Sequence, residues 1–266
     1  MVRSPTIPRA VTTEADPILL LHGQPGSARD WERVIDAIGD RAVPIPIARP
    51  GWDRAGAPTD LRGNARAALA TLDAHGIRRA TVVGHSLGGT IAAWLAAEHP
   101  ERVGGLALVA PAANLASLNR IDRLLATPLV GPMLSTAGLA GIGAALAIVP
   151  LRERIGADLG LGERYLRASG RALLSPFAWH SFAVEQRALI AELPALEARL
   201  AAISAPTTIV IGTADRIVPP SSARELATGI RGSKLVEIAR ASHLLPQQHP
   251  RRVAEVILDV VERALR

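Results

Sequence analysis

The 266 residues are 48% hydrophobic and contain no cysteine, which allows one substantial core and excludes disulfides, thiolate catalysis and cysteine-based metal sites. The 30 Lys and Arg outnumber the 24 Asp and Glu for a net charge of +6, yet the basic residues are scattered among acids and only Lys234 is a lysine. No basic run with interleaved aromatics marks a nucleic-acid partner. Residues 1–17 lack the apolar stretch of a signal peptide, so the expected location is cytoplasmic.

Along the chain, short apolar runs alternate with helical patterns. Pro17 to Leu21 reads as a central parallel strand ending at His22-Gly23, and Ser27 to Ile38 as a helix. Val43 to Ile47 reads as a strand that Pro44 and Pro46 push toward an edge. A helix over Arg62 to His75 precedes the strand Ala80 to Val83, and a helix over Leu87 to Glu98 precedes the strand Gly105 to Val109. From about Ala112 to Leu200 no convincing strand occurs, only helical patterns such as Arg187 to Leu193 and Leu196 to Ala202. Alternation resumes with the strand Thr207 to Ile211, a helix over Ser221 to Gly229 and the strand Leu235 to Ile238. The helix Arg251 to Leu265 closes the chain, with Val253, Val256, Ile257, Val260 and Val261 on one face. Repeated strand–helix units predict an α/β fold with a mostly parallel sheet flanked by helices. Residues 1–111 and 201–266 form the expected core, and 112–200 an inserted helical cap.

One segment within that insert needs a membrane reading. Residues 124–151 carry no charge, and Leu129 to Val149 is long enough to span a bilayer. Pro132 and several glycines interrupt it, and a span would separate two halves of one domain. The expectation is an apolar lid with no stable span, able to touch a membrane transiently.

The chemistry concentrates at strand ends. Gly84-His85-Ser86-Leu87-Gly88 lies between a strand and a helix, where a sharp turn thrusts the serine hydroxyl outward and aims the helix N-terminus at nearby negative charge. A serine needs a base, and the base an orienting acid. The loop after Ile211 supplies Asp215 and that after Ile238 supplies His243, giving the order Ser86, Asp215, His243. Leu21-His22-Gly23-Gln24-Pro25-Gly26 turns back over the serine, so the N–H groups of Gln24 and Leu87 are the expected oxyanion hole. Asp53 is a rival acid but follows an earlier strand. His85 and His22 read as packing or bracing residues, and the histidine spacing gives no metal site.

These four motifs resemble the serine members of the α/β-hydrolase fold over nearly the whole core. The resemblance implies Ser86 as nucleophile, His243 as base then acid, Asp215 as orienting acid, and no cofactor. Three departures are visible. Few residues precede the first strand, so the family's N-terminal hairpin is shortened or absent. Ser242 and Gln248 replace a usual glycine and glutamate around His243. Arg49-Pro50-Gly51-Trp52-Asp53 replaces the commoner PGxGxS loop and brings Trp52 toward the pocket. Met133, Phe177, Trp179 and Phe182 either line an acyl pocket or are core of the cap, with Val218 and Leu244 as further pocket candidates. The implied function is hydrolysis of a small hydrophobic ester or acyl substrate. Carbon–carbon hydrolysis of a ring-fission diketone is the alternative, although those enzymes usually carry tryptophan at the position of Leu244. Cofactor-free perhydrolysis shares the same residues, and the non-enzyme alternative is a ligand-binding module.

Overall fold

The computed structural model describes residues 17–52 and 56–266; the expectation of a shortened or absent N-terminal hairpin, and Asp53, lie outside them. Six strands form one parallel sheet: β1 (Pro17–Leu21), β2 (Val43–Ile47), β3 (Ala80–His85), β4 (Val103–Val109), β5 (Thr207–Gly212) and β6 (Lys234–Ile238), in the order β2-β1-β3-β4-β5-β6. β1, β3, β4 and β5 are buried along essentially their whole length, as unbroken apolar runs require when helices cover both faces. β2 takes an edge, where Pro44 and Pro46 leave no ladder donor missing toward a further strand.

The crossovers are α1 (Glu32–Ile38), α2 (Leu61–Ala74) and α3 (Leu87–Glu98). Between β4 and β5 come five helices: α4 (Arg120–Leu125), α5 (Val130–Ala147), α6 (Val149–Leu159), α7 (Glu163–Leu173) and α8 (Pro176–Glu197). The chain finishes with α9 (Pro220–Gly229), the short α10 (Leu245–Gln248) and α11 (Pro250–Ala264). α11 buries Val253, Val256, Ile257, Val260 and Val261 against β4 and α1. α3 is apolar on every side and entirely buried through Ala96, as a helix between a sheet and α2 must be.

The sequence splits the end of the insert into two helical pieces around Pro194, but α8 runs through it as one helix. Leu189, Leu193 and Leu196 pack into the main core, and that burial outweighs the backbone donor that proline removes. In packing, residues 188–200 and Ala112 and Ala113 therefore go with the sheet rather than with the insert. The rest of the insert has its own small core of Leu139, Leu146, Leu161, Leu166 and Leu173.

α5 turns one stripe of small residues and leucines inward. Gly131, Ser135, Leu139, Gly143 and Leu146 face the protein. A Cβ at Gly143 would sit 3.0 Å from the Gly170 carbonyl oxygen, and one at Gly170 would sit 2.8 Å from Leu146 Cβ, so α5 and α7 approach too closely for larger side chains. Met133 is consequently turned out, 73% exposed, and Phe177 at the start of α8 is 58% exposed. Neither is among the residues lining the cavity that adjoins the site. Trp179 and Phe182 pack on the small core of the insert, with Trp179 Nε1 donating to the Leu173 carbonyl at 2.7 Å.

Candidate active site

Four loops converge at the carboxyl ends of the strands, beside the point where the strand order reverses between β1 and β3. Ser86 follows β3 and caps α3 with φ 53° and ψ −120°, a conformation that L residues rarely adopt. Its own N–H donates to the Val109 carbonyl at 2.9 Å, while its carbonyl accepts from Gly89 and Ala112, so strands and helix hold the strain from both sides. The flanking glycines are required by contact. A Cβ on Gly84 would collide with the Gly88 backbone, and one on Gly88 with the carbonyls of Leu21 and His22.

Opposite the serine, His243 Nδ1 donates to Asp215 Oδ2 at 2.8 Å. The other carboxylate oxygen accepts the backbone N–H groups of Ile217 (2.9 Å) and Val218 (3.0 Å). Val218 thus serves the site through its backbone, and its side chain lies in the main core. With Nδ1–H given to Asp215, Nε2 of His243 is the unprotonated nitrogen of the neutral ring. Asp215, His243 and Ser86 are all buried or nearly so. Among the described residues no hydrogen bond joins Ser86 Oγ to His243. The departures around His243 compensate each other, since Ser242 Oγ donates to Gln248 Oε1 at 2.6 Å.

His85 lies against this ring, centroids 5.0 Å apart, and its Nε2–H donates to the His243 carbonyl at 3.0 Å. Burial, and then the neighbouring His243, lower its pKa to about 3. It is a neutral brace.

The loop after β1 lies directly on the serine: a Cβ on Gly23 would come 3.0 Å from Ser86 Cβ. Among the described residues the backbone N–H groups of Gln24 and Leu87 have no acceptor, so both donors are free. The loop is held from behind by His22, the brace read from the sequence, and by Arg49, Asn64, Glu185 and Gln186, which sequence reasoning did not single out. The Gly23 carbonyl accepts from Arg49 Nη2 and His22 Nδ1, both at 2.9 Å. Arg49 is fully buried and ion-paired with Glu185 of α8, which also accepts from Trp52 Nε1 (3.0 Å) and Asn64 Nδ2 (3.3 Å). Next to it, Gln186 Oε1 accepts from the Gln24 side chain at 2.7 Å. α8 therefore grips the loop at two successive residues. The signal was available: Ala178, Ser181, Glu185, Leu189, Leu193 and Leu196 share the buried stripe of α8, and a glutamate on such a stripe demands a partner.

Burial pushes the Glu185 carboxyl up from its ordinary value, with Arg49, Trp52 and Asn64 opposing. All its partners are donors, so the group they hold is the carboxylate. Burial likewise lowers His22 well below the usual histidine range, helped by Arg49.

A cavity of about 600 Å³ adjoins the site, lined among others by Pro25, Trp52, Leu161, Leu173 and Leu244. Pro25 and Leu244 are the chain neighbours of Gln24 and His243, although Ser86 itself does not line it. Its walls are mainly apolar, with Arg29, Asp30, Ser169, Arg171 and Tyr165 among the polar residues; the Tyr165 hydroxyl donates to Asp30 at 3.1 Å. Among the described residues no group of three or more His, Asp or Glu side chains is placed to hold a metal ion.

The sequence model of the alpha/beta hydrolase family matches residues 18–256. A 2-hydroxy-6-oxononadienedioate/2-hydroxy-6-oxononatrienedioate hydrolase of Paraburkholderia phymatum is 27% identical over 257 residues, 91% of this chain and 85% of that protein. A pimeloyl-[acyl-carrier protein] methyl ester esterase of Neisseria meningitidis is 30% identical over 211 residues, 79% of this chain and 78% of the relative. Among solved structures, a thermophilic esterase from Thermogutta terrifontis superposes with a TM-score of 0.71 at 23% identity, covering 94% of this chain and 90% of the other.

Proposed function

Because the chain belongs to the alpha/beta hydrolase family, we propose that it is a serine hydrolase of small hydrophobic esters, with Ser86 as nucleophile. Ser86 Oγ adds to the ester carbonyl carbon as its proton passes to His243 Nε2. The tetrahedral oxyanion is received by the free N–H groups of Gln24 and Leu87, each donor of this kind lowering the barrier by about 3 kcal/mol. His243 then returns the proton to the departing alkoxide, leaving an acyl-Ser86 ester. Water attacks that ester and gives its proton to His243, which passes it to Ser86 Oγ as the intermediate collapses, releasing the acid and restoring the serine hydroxyl. Asp215 keeps the ring in the tautomer that exposes Nε2 and stabilises the imidazolium.

The observation that carries this reading is Ser86 in its strained turn at the N-terminus of α3, under a loop whose N–H is free. The chemistry requires Oγ and Nε2 to come within hydrogen-bond reach when substrate is bound, a closure expected of sites seen without substrate. In this reading the helices from Arg120 to Leu173 are a cap, and the mainly apolar cavity beneath them takes the acyl group.

The full-length similarity to a carbon–carbon hydrolase favours a second reading, in which the same residues cleave a ring-fission product. A panel of p-nitrophenyl esters from acetate to decanoate beside a ring-fission dienone separates the two. Ester hydrolysis predicts a burst of p-nitrophenol stoichiometric with enzyme and kcat/KM at least a hundredfold above that for the dienone. Turnover of the dienone alone would replace the first reading with the second.

A further inference from the structure

The outer face of the insert is apolar to an extent that neither the core nor the proposed reaction uses. Residues 124–151 carry no charge. α5 turns Leu139 and Leu146 inward together with Gly131, Ser135 and Gly143, and it leaves four other large side chains facing solvent: Val130, Met133, Leu134 and Ile142. Leu129, just ahead of α5, is 81% exposed; Ile121 and Leu124 of α4 and Ile148 and Val149 at the α5–α6 junction extend the same face. α5 is long and apolar enough to cross a bilayer, yet one side of it is packed on α7 and α8. It is therefore placed to lie along an apolar medium rather than through one.

We propose that this face seats on an anionic lipid bilayer. Three observations select lipid over a protein. The outward side chains are Leu, Ile, Val and Met, with Phe177 as the aromatic nearby, whereas protein interfaces are anchored by Trp, Tyr and buried Arg. At its start Arg120 and Arg123 on α4 have no acidic partner among the described residues, while Asp122 between them accepts from Asn119 N and the Gln186 side chain; the two free cations complement lipid phosphates. The face also runs into the cavity: Ile142 is half-exposed and lines it, next to Arg171. A substrate dissolved in the lipid reaches that opening without crossing water. Binding to the bilayer stands apart from the esterase reading, while delivery of substrate rests on it.

The test is co-sedimentation of the full chain with vesicles of pure phosphatidylcholine and of phosphatidylcholine with 30% phosphatidylglycerol, at about 50 and 500 mM NaCl. The expected result is partitioning onto the anionic vesicles at least tenfold stronger than onto neutral ones, weakened by salt. Ile121→Asp/Leu129→Asp loses at least tenfold in partitioning, and Arg120→Glu/Arg123→Glu abolishes the preference for anionic lipid. Both variants keep the far-ultraviolet spectrum and the hydrolysis rate of a soluble short-chain ester. If partitioning is absent, or if the variants bind as well as the parent, the proposal is wrong. It is equally overturned if sedimentation velocity shows a dimer that Ile121→Asp/Leu129→Asp converts to monomer, since the face then belongs to a second copy. A failed ester assay with intact vesicle binding would remove the reaction and leave the docking surface standing.

Discussion

Glu185 gives a prediction in which stability and rate separate. Its carboxylate is fully buried on α8 and receives Arg49, Trp52 and Asn64, while the far side of Arg49 holds the Gly23 carbonyl at 2.9 Å. Glu185→Gln keeps the shape but leaves a buried guanidinium without its counter-charge and turns an amide N–H₂ toward donors. Breaking a buried pair from one side costs about 3–5 kcal/mol; a near-isosteric change sits at the lower end, about 3 kcal/mol. For a chain of this size that corresponds to a fall in Tm of roughly 6–12 °C. The loop that presents the Gln24 N–H loses its anchor at the same time, and a misplaced oxyanion donor lowers kcat by about 10²-fold. Replacing both partners, Arg49→Met with Glu185→Leu, removes the stranded charge and restores most of the stability. It leaves the Gly23 carbonyl without its guanidinium, so kcat on a p-nitrophenyl ester stays low. Urea denaturation and steady-state kinetics on the three proteins measure both quantities. A double variant as fast as the parent would refute the role of the pair in placing the loop.

Other outcomes follow from single contacts. Gly88→Ala drives a methyl into the carbonyls of Leu21 and His22 and should cost about 1–3 kcal/mol in urea melts and most of the ester activity, because the serine turn must shift. Asp215→Asn releases the tautomer of His243 and should lower kcat by about 10⁴-fold with little change in KM. His22 and His85 are both held neutral by burial. Their folded-state pKa values are depressed, so as pH falls the unfolded chain takes up protons first. Stability is then full above the usual histidine value of 6.5; His85 gives it up as pH drops from there toward about 3, by about 1.4 kcal/mol per pH unit, and His22 adds a loss of the same sign below 6.5. Urea melts across that window should show this slope, and His85→Gln, which can still donate to the His243 carbonyl, should reduce it.

The strand ends were legible because each of their motifs is local. Gly84 and Gly88 bracket the serine within five residues, the loops of Gln24 and Asp215 follow the apolar runs Ile18–Leu21 and Ile209–Ile211, and that of His243 follows Leu235-Val236-Glu237-Ile238. The edge position of β2 could be read from Pro44 and Pro46 for the same reason. What could not be read depends on partners distant in the chain. Arg49 and Glu185 are 136 positions apart, and although a glutamate on the buried stripe of α8 demands a partner, nothing local says that the partner is Arg49. The orientation of α5 was hidden because an all-apolar helix has no polar face to mark its outside. There the close approach of Gly143 and Gly170 decides, and it sends Met133 outward. Trp179 and Phe182 were ambiguous between pocket and core because an aromatic on a helix looks the same in either place.

The most direct test of the central claim is labelling with a fluorophosphonate followed by mass mapping of the adduct. The account predicts a single adduct on Ser86, none on Ser86→Ala, and labelling slowed by several orders of magnitude on His243→Ala. An adduct on another residue, or undiminished labelling of a folded Ser86→Ala protein, would contradict it.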